Sequence, residues 1–109
     1  MGKPTDLVQG TLEFLILRTL EPEPKHGWAI AKRIQQISGE ILQVPQGSLY
    51  PALYRLERQG YVTGKSGQAD NGREVKFYAL TRAGRRHLKS EVELWDRLSN
   101  AINVVIRHA

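Results

Sequence analysis

The sequence predicts a mainly α-helical domain with one small β-hairpin and a long closing helix. Three observations carry the prediction. Apolar residues recur at helical spacing in four separate stretches, two short runs rich in Val, Tyr, Phe and Thr follow Gly60, and the final stretch carries two apolar rows. A chain of 109 residues, 40% hydrophobic and 25% charged, fits one domain closing a single modest core.

In the first stretch Leu12, Leu15, Ile16 and Leu20 share one face, while Phe14 and Leu17 fill the other. A helix that is apolar nearly all round belongs in the middle of the core. Glu21-Pro22-Glu23-Pro24 ends it, because two prolines remove backbone donors and push the preceding residues to extended conformations. The polar start, Met1 to Gly10, and a short apolar run broken by Glu13 and Arg18 predict neither a signal peptide nor a membrane span. Met1-Gly2 has Asp6 where a myristoylation motif needs Ser or Thr.

A second helix, from about His26 to Ser38, has Ile30, Ile34 and Ile37 on one stripe and Gly39 placed to end it. A third, from Gln46 or Ser48 to Gln59, sets Leu49, Leu53 and Leu56 inward, with Gly60 as its stop. Pro51 is expected within its first turn, where a missing N–H costs nothing.

Tyr61 to Ser66 and Arg73 to Leu80 read as two strands, joined by Gly67 to Gly72 with the turn dipeptide Asn71-Gly72. Alternation in the second strand predicts Val75, Phe77 and Ala79 on the buried face, with Glu74, Lys76 and Tyr78 in solvent. The last helix, from Thr81 to about Arg107, carries one row of Leu88, Val92, Trp95, Ile102 and Ile106 and another of Leu94, Leu98, Ala101 and Val105. This stripe is too wide for one small domain to cover, so a second copy of the chain is expected to cover it.

Charge is distributed unevenly. From Gln46 to Arg86 there are eight basic and three acidic residues, which accounts for the whole net charge of +5; the remainder carries eight of each sign. An anionic partner is therefore expected at the third helix and hairpin. Helix, helix, helix, basic hairpin, long helix is the plan of a winged helix-turn-helix, in which the third helix enters the major groove and the hairpin reaches nearby phosphates. The expected division is residues 1–80 for DNA binding and 81–109 for dimerisation. On the third helix the expected contacts are Gln46, Ser48, Tyr50, Pro51, Tyr54 and Arg55, with Arg58 also outward; Tyr50 and Tyr54 could instead be aromatics at the core edge. On the hairpin Lys65, Arg73 and Lys76, with Gln68 and Asn71, are expected to meet phosphates. Leu88, Val92, Trp95, Leu98, Ile102, Val105 and Ile106 are expected to form the dimer seam.

Enzymatic chemistry has little support. His26, His87 and His108 are widely separated, no nucleophile motif or phosphate loop is present, and His87 with Glu91 lacks further ligands for a metal. No cofactor or metal is expected. The absence of cysteine excludes disulfides and suits a cytoplasmic protein. The competing reading is a winged-helix module that docks another protein through its last helix, although such a module does not need basic residues converging on the third helix.

Gly47-Ser48-Leu49-Tyr50-Pro51-Ala52-Leu53-Tyr54-Arg55-Leu56-Glu57 with Gly60-Tyr61-Val62 resembles the signature of the PadR family. Arg73 to Thr81 with Gly84 is similar to that family's second wing strand and last-helix entry, and His26 to Ile34 to the opening of its second helix. The family more often has an aromatic at His26 and Tyr at Phe77. The resemblance implies a homodimer joined by the last helix, binding a roughly palindromic operator in double-stranded DNA and usually repressing transcription. It implies DNA contacts for Tyr50, Ser48, Lys65, Arg73 and Lys76. It also implies a small aromatic effector, with Trp95 as the candidate pocket residue; an indole in a dimer seam is more often core.

Overall fold

The computed structural model describes residues 4–109, with side chains described from Thr11 onward. In chain order the elements are α1 (Pro4–Leu20), β1 (Lys25–His26), α2 (Gly27–Ile37), α3 (Gln46–Arg58), β2 (Val62–Gln68), β3 (Glu74–Leu80) and α4 (Arg82–His108). The strands form one antiparallel sheet in the order β1-β3-β2. This is a mainly α fold with a small sheet and a long closing helix.

Helix α1 is central, packing against α2, α3, α4 and β3. Leu12, Ile16, Leu17 and Leu20 are fully buried, and Ile30, Leu49, Leu53, Leu56, Val62 and Leu88 close around them. Each such side chain contributes roughly 1.5–3 kcal/mol of burial.

The helix ends are set by glycine. After α2, Gly39 (φ 63°) donates to Gln36 O and Glu40 donates to Gln35 O; after α3, Gly60 (φ 80°) donates to Glu57 O and Tyr61 to Leu56 O. Both are Schellman caps, closed by a left-handed residue that only glycine adopts without cost. Helix α4 begins at Thr81, whose Oγ1 accepts from Gly84 N at 2.9 Å and donates to Gly60 O at 2.6 Å. A Cβ at Gly84 would lie 2.0 Å from Tyr61 O, so the start of α4 is locked against the entry to the hairpin.

Several expectations need correction. Helix α1 already includes Pro4 to Gly10, ahead of the apolar run. The hairpin has a third strand, because Lys25 and His26 pair with Tyr78 and Phe77. One residue of β3 departs from the expected alternation: Tyr78 is 7% exposed and belongs to the core, while Phe77, like Val75 and Ala79, is half-buried and lies edge-on to His26, ring centroids 5.5 Å apart. Pro51 lies beyond the first turn, since α3 begins at Gln46. Its missing N–H leaves the carbonyl of Gly47 without a helical donor, and the exposed start of α3 gives that carbonyl access to water.

Candidate nucleic-acid interface

Four side chains at every fourth position, Gln46, Tyr50, Tyr54 and Arg58, form one exposed row along α3, opposite the buried Leu49, Leu53 and Leu56. Tyr54 is 61% exposed with Arg58 against its ring, guanidinium 5.8 Å from the centroid, so it lies on the surface and not at the core edge. Tyr50 serves two purposes. It is 45% exposed, yet its ring lies on Gly27 so closely that a Cβ there would come within 2.7 Å of the hydroxyl oxygen. Pro51 is exposed beside this row, and Ser48 is half-buried at its start.

The hairpin rises beside α3, with β2 and β3 paired in unbroken register from Val62↔Leu80 to Gln68↔Glu74. Its tip closes on Ala69 N donating to Arg73 O (2.9 Å), Arg73 N donating to Asn71 Oδ1 (3.0 Å) and Gly72 at φ 83°. Lys65 and Arg73 are exposed, and neither side chain forms an ion pair among the described residues. Both are free to meet phosphates.

Two of the expected contacts are engaged inside the chain. Lys76 Nζ donates to Glu57 Oε1 at 2.9 Å and lies 5.5 Å from the centroid of the Tyr78 ring. The hydrogen bond to Glu57 holds the Lys76 ammonium above the usual lysine range, while burial pushes the Tyr78 phenol up. Arg55 turns toward α1, its Nε 3.5 Å from Glu13 Oε1. Lys76 therefore bridges the hairpin to α3, and Arg55 bridges α3 to α1, each through a part-exposed pair.

Between α3, the hairpin and the start of α2 lies a groove of about 400 Å³. Gln46, Tyr50, Asn71, Arg73 and Lys76 line it from the expected set, joined by His26 and Trp28. His26 caps α2 through Nδ1, accepting from Ala29 N at 3.3 Å. Trp28 is 60% exposed, with Lys32 Nζ 4.9 Å from its ring centroid. Sequence reasoning did not assign these residues to the interface; the signal was the aromatic-glycine-aromatic spacing at His26-Gly27-Trp28, which sets two rings around the glycine that receives Tyr50.

The second half of α4 is a separate surface. Leu94, Trp95, Leu98, Ile102, Val104, Val105 and Ile106 are each at least 44% exposed. Leu88 does not join them: at 2% exposure it belongs to the chain's own core, and Val92 packs against that core. Trp95 contacts Phe14 of α1, ring centroids 6.3 Å apart. His87 stacks on Tyr61 at 4.2 Å and pairs with Glu91 at 3.5 Å, and no cluster of potential metal ligands occurs among the described residues.

A family model described as "Transcriptional regulator PadR-like family" matches residues 16–90, spanning α3 and the hairpin. The chain belongs to the PadR-like transcriptional regulator family. It is thus a DNA-binding transcription regulator and not an enzyme, and dimerisation is typical of PadR-like regulators. A transcriptional regulator from Clostridium thermocellum is similar in structure at TM-score 0.82 and 26% identity, the match covering 94% of this chain and 96% of that one. A PadR family transcriptional regulator from Eggerthella lenta DSM 2243 is similar at TM-score 0.80 and 27% identity, over 95% of this chain and 88% of that one. An uncharacterized 37.1 kDa protein in transposon Tn4556 of Streptomyces fradiae is 40% identical over 90 residues, covering 83% of this chain and 24% of that protein. This chain therefore spans about a quarter of that relative's length. No helix among the described residues is long and apolar enough to cross a membrane.

Proposed function

We propose that this PadR-like regulator is a homodimeric repressor, acting in the cytoplasm, that reads a roughly palindromic operator. Residues 1–80 form the DNA-binding unit and 81–109 the dimerisation helix. The observation that carries the reading is the row Gln46, Tyr50, Tyr54 and Arg58 facing out of α3, with the unpaired Arg73 lining the same groove and the unpaired Lys65 exposed on the hairpin. Amide, phenol and guanidinium groups can address base edges, while the cations meet phosphates. Ser48 and Pro51 border the row, whereas Lys76 and Arg55 act through the ion pairs that orient it.

Two copies joined through Trp95, Leu98, Ile102, Val105 and Ile106 would set the separation of the two α3 helices, which for adjacent half-sites is about 34–36 Å. A small aromatic molecule at Trp95 that favours one separation would change operator affinity in proportion to its preference.

The test is a titration of the protein with the DNA upstream of its own gene against a scrambled duplex, at two salt concentrations. Preferential, salt-sensitive binding by a dimer is the expected result. Equal binding of both duplexes would remove sequence-specific reading by α3, and unaltered operator affinity across a panel of aromatic ligands would remove the effector.

A further inference from the structure

A second groove, of about 320 Å³, lies away from the row on α3, between the C-terminal turns of α1 and α2. Leu15, Pro22, Ile34, Ile37 and Leu42 give it an apolar lining, in which Ile37 is 65% exposed. Three cations, Arg18, Lys25 and Arg33, also line it, and among the described residues no acidic side chain does. Arg33 is exposed and makes no ion pair among the described residues. Among the described residues Arg18 pairs with the half-exposed Glu21 alone, at 3.2 Å, and Lys25 donates one N–H to Thr19 O at 2.9 Å, leaving two. Surface pairs such as Arg18–Glu21 are weak and exchange readily for a better anion.

An apolar trough edged by cations is complementary to a molecule with a short hydrocarbon tail and one negative head. We propose that this groove binds a small apolar monocarboxylate, its tail over Ile34, Ile37 and Leu42 and its carboxylate on the guanidinium of Arg33, with Arg18 or Lys25 as second donor. A volume near the lower end for small-molecule sites suits a ligand of this size, and a planar guanidinium can take a carboxylate by two parallel hydrogen bonds. The site is distinct from the Trp95 seam and independent of operator reading. Its floor includes Leu42, on the connection that leads into Gln46, so the bound tail would touch the segment that delivers α3.

The experiment is calorimetric titration of the full chain with octanoate and with octanol, repeated on Arg33→Ala, Ile37→Asp and Trp95→Ala, with sedimentation of each variant. Octanoate is expected to bind at one site per chain and octanol at least about tenfold more weakly. Arg33→Ala should weaken octanoate by about tenfold, the loss of a charge-assisted hydrogen bond. Ile37→Asp should abolish binding with the oligomeric state unchanged, and Trp95→Ala should leave affinity as it was. Absence of octanoate binding, or equal binding of octanol, would overturn the site. So would loss of binding in Trp95→Ala with retention in Arg33→Ala. Dissociation of the Ile37→Asp variant would give the groove to a second copy of the chain and overturn it as well.

Discussion

The outward row of α3 and the second half of α4 are both exposed faces of amphipathic helices, and they are built from opposite chemistry. On α3 the exposed side chains are an amide, two phenols and a guanidinium, each able to remain in water until a polar partner arrives. On α4 they are Leu94, Trp95, Leu98, Ile102, Val105 and Ile106, which gain nothing from water and are stabilised by leaving it. Affinity at the first surface comes from charge and direction, so it falls with salt; at the second it comes from buried area, so it does not. The elements that carry them are joined where Gly84, in the first turn of α4, presses on Tyr61 O just after α3, so their relative orientation is set by packing and not by a flexible linker.

The largest expected effect comes from making the apolar surface resemble the polar one. Leu98→Asp with Ile102→Asp should give a monomer by sedimentation equilibrium and lower operator affinity by about 100-fold or more, the avidity of two linked half-site contacts. A double variant that remained dimeric would show that this face is not the seam.

Next is the joint between the surfaces. Gly84→Ala inserts a methyl group against a backbone carbonyl and should cost about 2–3 kcal/mol in denaturant unfolding. A change under about 0.5 kcal/mol, the range of ordinary surface substitutions, would mean that α4 and the hairpin are not rigidly coupled.

Within the polar surface, Tyr50→Ala should weaken operator binding by about 1–3 kcal/mol, the worth of a base-edge contact. Gly27→Ala should act in the same direction to a smaller extent, because the added methyl group displaces the Tyr50 ring and its hydroxyl without removing the side chain. Unchanged operator affinity in Tyr50→Ala would remove it from the interface. The smallest effect separates the two lysines: Lys65→Ala should lower the salt slope by about one unit and Lys76→Ala by less, since Glu57 already balances Lys76. Equal slopes for both variants would mean that the ion pair opens on DNA.

The helix boundaries at Gly39 and Gly60 and the turn at Asn71-Gly72 were legible in the sequence because each depends on a residue that tolerates positive φ, a local property. Face assignments were legible only where nothing else competed. Tyr78 was expected in solvent by alternation, yet its ring enters the core, while β1, paired along the edge of β3, sets His26 against the Phe77 ring. Leu88 matched the apolar period of the outer half of α4 perfectly well, but periodicity cannot tell a face covered by its own domain from one awaiting a partner. Lys76 and Arg55 counted as free charge because their partners, Glu57 and Glu13, come from other elements of the fold. The groove residues His26 and Trp28 become neighbours of Arg73 only when the hairpin folds back over α2.

The central claim is that two copies of the α3 row read DNA at a separation fixed by α4. A hydroxyl-radical footprint of the dimer on its upstream DNA tests it most directly. The account predicts two protected patches on one face of the duplex, centred about one helical turn or a whole number of turns apart. A single patch, or two patches on opposite faces of the duplex, would contradict it.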